Sequence, residues 1–76
     1  MSKMPALKPK QVLKALLRAG FYVHHQTGGH AHLRNDAKPG VRVTIPCHAR
    51  CDLPAPILAS ILKQACLERD EFLAML

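Results

Sequence analysis

His30, His32 and Arg34 occupy every second position of a short segment, His30-Ala31-His32-Leu33-Arg34. In an extended strand, alternate residues face the same way. The spacing therefore predicts two imidazoles and a guanidinium in a row on one face, with Ala31 and Leu33 turned to the other. Imidazole exchanges protons near neutral pH, and a guanidinium is a fixed positive charge with a forked set of donors. Such a row suits a phosphodiester, because proton transfer and charge neutralisation are both at hand. It opens directly after Gly28-Gly29, a turn signal.

The flanking residues say what would hold this row. Residues 21–26 read as a strand, with Phe21 and Val23 to one side and Tyr22 and His24 to the other. The turn Thr27-Gly28-Gly29 leads into the strand 30–34, and a second turn, 35–40, contains Lys38-Pro39-Gly40. Residues 41–45 alternate with period two: Val41, Val43 and Ile45 inward, Arg42 and Thr44 outward. One face of the sheet then collects apolar residues. The other collects Tyr22, His24, His30, His32, Arg34, Arg42 and Thr44, and is open, polar and positive.

The apolar face needs a cover, and helices supply it. Pro9 suits a first helical position, and Val12, Leu13, Leu16 and Leu17 recur at helical spacing over residues 9–19, with Gly20 as the stop. Lys10, Lys14 and Arg18 follow an i, i+4 row, read as a solvated face. A second helix begins near Pro54 or Pro56 and carries Ile57, Leu58, Ile61, Leu62 and Ala65 as its stripe. A short last helix spans about 69–75, with Glu68, Asp70 and Glu71 at its start, where the helix dipole favours negative charge. The fold class is α+β: a two-layer α-β-β-β-α domain with a three-stranded antiparallel sheet and a short extra C-terminal helix.

Composition bounds the function. The 76 residues suit one domain, 1–76, and a hydrophobic content of 49% excludes a disordered tail. Lys and Arg total 11 against 5 acids, for a net charge of +6. No acid precedes Asp36, while Lys3, Lys8, Lys10, Lys14, Arg18 and Arg34 all do. A field of this sign attracts polyanions. No apolar run approaches the roughly 20 residues of a membrane span, and the start shows no signal-peptide pattern. Cys47, Cys51 and Cys66 are odd in number, as free thiols in a reducing cytoplasm would be.

Each candidate has a bland counterpart. His24 and His25 read first as surface residues, although His24 would stand opposite His32 on the neighbouring strand. Tyr22 could stack a base, but one aromatic is weak evidence. Cys47-His48 and Cys51 place three potential zinc ligands in five residues. A structural zinc site wants four, usually as two separated pairs, so no metal and no cofactor are expected.

Four pieces of the chain, in order, carry a resemblance. They are the run from Lys10 through Val12-Leu13-Lys14 to Ala19-Gly20-Phe21, then Gly28-Gly29-His30, then Val43-Thr44-Ile45-Pro46 with His48, and finally Ile61-Leu62-Lys63-Gln64-Ala65. Together the chain resembles the HicA-type toxins of HicA–HicB toxin–antitoxin modules. The resemblance implies a double-stranded-RNA-binding-domain-like fold and an endoribonuclease that cleaves mRNA without a metal. It makes His30 the catalytic residue and implies a HicB-like antitoxin that neutralises the toxin. The residue before the histidine, often Ser or Thr in the family, is Gly29 here. Pro56 stands where a Gly usually begins the second helix, and Cys66 where another usually ends it. The last change removes the residue best suited to a left-handed helix cap.

RNA carries its own nucleophile, the ribose 2′-hydroxyl. An imidazole can act as base or acid near neutrality, so His30 fits the catalytic place. Tyr22, His24, His32, Arg34 and Arg42 are the expected RNA-binding residues, the arginines as phosphate binders. Whether His32, His24 or His48 supplies a second proton transfer stays open, as does the rival reading of a non-catalytic RNA-binding module. The expected partners are mRNA and the antitoxin, with no membrane and no DNA contact by this chain alone.

Overall fold

The computed structural model describes residues 6–47 and 52–76. Helix α1 spans Pro9–Arg18 and is followed by three strands, β1 (Tyr22–Thr27), β2 (His30–Arg34) and β3 (Arg42–Pro46). Helices α2 (Ala55–Ala65) and α3 (Arg69–Leu73) complete the order. The strands form one antiparallel sheet in the order β1-β2-β3, so the expected α+β arrangement with its extra C-terminal helix is what the chain adopts.

Local chemistry accounts for the boundaries. Pro9 is the first residue of α1, where its missing N–H costs nothing, and the Gln11 side chain accepts from the Lys8 backbone N–H at 2.9 Å. Gly20, at φ +100°, lets the chain leave α1 and turn into β1. Gly28, at φ +53°, makes the first position of a two-residue turn between Thr27 and His30. Beyond α2, Cys66 adopts the left-handed conformation, φ 56° and ψ 39°, despite its side chain. Its N–H bonds to the Lys63 carbonyl, and that of Leu67 reaches back to Leu62. The helix end therefore keeps the glycine-type geometry without the glycine. Lys38 Nζ adds a donor, 3.1 Å from the Ala65 carbonyl oxygen.

The core lies between the helices and the inner face of the sheet. Val12 and Leu16 of α1, Leu33, Val43 and Ile45 of the sheet, Ile61 of α2 and Phe72 of α3 are all fully buried. The helices pack chiefly over β3, not β1. Val23, expected inward, is therefore 42% exposed although it pairs with buried Leu33, because β1 is an edge strand beyond the helical cover. The helical stripes are narrower than expected. In α1 the buried row is Val12, Ala15 and Leu16, leaving Leu17 exposed; in α2 it is Leu58, Ile61, Leu62 and Ala65, leaving Ile57 exposed. Both rows are i, i+3, i+4 sets, so a neighbour one residue away points about 100° off the core direction.

Candidate nucleic-acid interface

The sheet's outer face is built from three rungs of directly opposed residues. The hairpin rung holds Thr27, His30 and Pro46. The middle rung holds His25, His32 and Thr44, and the far rung Tyr22, Arg34 and Arg42. Directly opposed residues share a face, so the histidine–arginine row of β2 does stand on one side, flanked by partners from both neighbours. Ala31 and Leu33 are buried on the other.

His32 is the most constrained member. Its Nε2 lies 3.1 Å from Thr27 Oγ1 and its Nδ1 3.3 Å from Thr44 Oγ1, so both ring nitrogens are hydrogen-bonded. The ring of His25 lies beside it, 5.9 Å between centroids and 29° between planes. His30 is exposed at the start of β2, next to the Gly28-Gly29 turn. The Gly29 carbonyl accepts from the Cys47 backbone N–H, which ties the end of β3 to this turn.

Arg34 and Arg42 are paired across β2 and β3, and both line an open groove with His24, His25 and His32. Two cations placed opposite each other repel unless an anion sits between or above them. Arg34 is four residues from His30 along an extended strand, roughly 13 Å. Tyr22 hydrogen-bonds through its hydroxyl to Asp36 Oδ1 at 3.3 Å and stays 40% exposed.

The placement of His25 was missed by simple alternation, which set His24 opposite His32. The ladder instead shifts between Val23 and His25, and His24 is the extra residue of a β-bulge. A signal for this exists in the sequence. Counting back from a two-residue Gly28-Gly29 turn sets Thr27 against His30 and His25 against His32, but then Val23 would oppose Arg34. The hydrophobic phase demands Val23 opposite Leu33. A one-residue conflict between turn and phase is resolved by a bulge. His24 lines the same groove as His25 and His32.

Cys47 is half-buried, with its thiol 3.4 Å from the Ile45 carbonyl oxygen. His48 and Cys51, the other members of the weighed zinc set, lie outside the described residues, as does the second-proton role weighed for His48. Among the described residues, no three His, Cys, Asp or Glu side chains gather in a metal-binding group, and no helix is long and apolar enough to cross a membrane.

A family model described as the HicA toxin of bacterial toxin–antitoxin systems matches residues 9–67, from the first residue of α1 past the end of α2. The chain belongs to the HicA toxin family. The matched region contains the whole sheet and every rung of its outer face. Membership places this HicA-family chain on the toxin side of a two-component module and so implies a cognate antitoxin. No curated protein matches the chain.

Proposed function

We propose that this HicA-family protein is a metal-independent endoribonuclease that cleaves mRNA in the cytoplasm, with His30 transferring the proton. The observation that carries the reading is the alignment of the outer face. An exposed imidazole stands at the hairpin end, and an opposed arginine pair stands two rungs away on the same strand face. A single RNA strand laid along β2 would meet proton-transfer chemistry at one end and phosphate neutralisation at the other.

The reaction needs little else. His30 takes the proton from the ribose 2′-hydroxyl, whose oxygen attacks the adjacent phosphorus. The bond from phosphorus to the 5′-oxygen breaks, and that oxygen takes a proton from a general acid or from water. The products are a 2′,3′-cyclic phosphate and a 5′-hydroxyl. His32, held by two hydroxyls, is better placed to organise the face than to shuttle protons itself. Tyr22, His24, Arg34 and Arg42 bind the RNA, and no DNA contact by this chain alone is needed. A HicB-like antitoxin silences the toxin by covering this face.

The test is cleavage of a defined RNA in EDTA by the wild-type chain and by His30→Ala. Wild-type cleavage that the folded variant lacks supports the reading. Cleavage retained by the variant overturns the role of His30. Activity lost in EDTA and restored by a metal overturns the metal-free mechanism. RNA binding without turnover by the wild type would leave a binding module in its place.

A further inference from the structure

We propose that the Thr27 hydroxyl binds the phosphate being cleaved at His30, and that His32 and Thr44 set its orientation. The inference rests on the ribonuclease reading above and adds a group for which that reading has no candidate.

The need arises from distance. Cleavage builds negative charge on the non-bridging oxygens of the phosphate beside His30, and a donor fixed in advance there lowers the barrier. The Cα positions of the arginine pair lie roughly 13 Å along the strand, two rungs from His30, so a donor on His30's own rung is nearer that phosphate. Gly29, the residue before His30, offers no side-chain donor. Thr27 is the residue directly opposite His30 across β1 and β2. Opposed residues on one face have Cβ atoms about 5 Å apart, a spacing that one phosphate can span.

The hydroxyl is also held. Thr27 Oγ1 is 3.1 Å from His32 Nε2, and the other ring nitrogen is 3.3 Å from Thr44 Oγ1. Thr44 in turn is anchored through its backbone N–H, which donates to Gln64 Oε1 of α2 at 3.0 Å. Gln64 is itself fixed by its amide, which donates to Ser60 Oγ at 3.1 Å. A chain of contacts thus runs from the helical layer through His32 to the hydroxyl beside His30.

Proton counting favours an outward donor. A neutral imidazole donates from one nitrogen and accepts at the other. With the proton on Nε2, Thr27 accepts from His32, and its own hydrogen is free for a phosphate oxygen, while Thr44 donates to Nδ1. With both nitrogens protonated, Thr27 again accepts and its hydrogen is again free. Only the tautomer protonated on Nδ1 alone takes up the Thr27 hydrogen. An approaching phosphate selects against that tautomer, because it is the one that turns a lone pair, not a donor, toward the negative charge. His32 is then a positioning residue, and Thr27 the group that touches substrate.

The experiment compares Thr27→Val, Thr27→Ser and His32→Ala with wild type in single-turnover RNA cleavage. Affinity is measured in parallel on the same RNA with a 2′-deoxy sugar at the cleavage site, which cannot react. Thr27→Val should lose roughly 100-fold to 1,000-fold in rate, the scale of one lost charge-stabilising donor, with little change in affinity. Thr27→Ser should recover most of the rate. Nitrogen-15 NMR of the imidazoles should show His32 changing its tautomer balance in Thr27→Val, whose melting midpoint should stay near wild type. Thr27→Val cleaving as fast as wild type would overturn the inference while leaving His30 intact. Loss of rate in Thr27→Ser equal to that in Thr27→Val would also overturn it, since a hydroxyl would then not be what matters. A wild-type chain that does not cleave at all defeats the ribonuclease reading instead, and is recognised before any variant is made.

Discussion

Arg34 and Arg42 stand directly opposite each other on β2 and β3, two cations in register on the face that also carries the histidines. Like charges so placed destabilise a sheet, unless a ligand supplies the missing negative charge. Their arrangement is costly for folding, and on the function proposed above RNA phosphates supply that charge. RNA affinity of the His30→Ala variant should therefore fall steeply with salt, because each neutralised phosphate releases counterions. Removing both guanidiniums in Arg34→Ala/Arg42→Ala should flatten the slope of log affinity against log salt by about 1 to 2. An unchanged slope would place the RNA elsewhere.

Asn35 offers a test of how β2 is joined to the helical layer. It is 6% exposed, donates to the Ala19 carbonyl at 3.3 Å, and accepts from the Ala37 N–H at 2.9 Å. Asn35→Ala strips partners from two backbone groups in a buried corner. The expected loss is about 1–3 kcal/mol, read from the urea midpoint at unchanged slope. A loss well under that range would mean that water replaces the amide.

Cys66 holds a left-handed conformation that costs a non-glycine residue roughly 1–2 kcal/mol. Since the capping hydrogen bonds of Cys66 and Leu67 are backbone bonds, glycine keeps them. Cys66→Gly should raise stability by up to about 1 kcal/mol, the remainder being offset by the greater freedom of glycine in the unfolded chain. Equilibrium unfolding measures it, and a lower midpoint would show that the exposed thiol side chain contributes more than the conformation costs.

If the three rungs are the RNA face proposed above, an antitoxin that acts by direct occlusion lies over them. Expression of the chain alone should arrest growth, and coexpression with the cognate antitoxin should relieve the arrest. Hydrogen exchange in the complex should then slow across residues 22–34. Because the toxin carries +6, association with an acidic partner should be fast and should slow as salt is added. Protection confined to α3 would argue for indirect inhibition.

The sequence by itself determined the layer order, the extent of β2 and the identity of the open face. Each follows from local rules: period-two alternation in residues 30–34 and 41–45, a glycine pair between strands, and prolines that can only begin a helix. It also held the conflict between turn and hydrophobic phase that a bulge resolves. Only the tertiary structure decided that the edge strand β1 lies outside the helical cover, so that Val23 faces solvent. Only it closed the Thr27–His32–Thr44 chain, whose members come from three strands. The physical reason is the range of the interactions. Periodicity and turn chemistry act over a few neighbouring residues, whereas register across strands and the direction of a ring nitrogen are settled by groups 5 and 12 positions away.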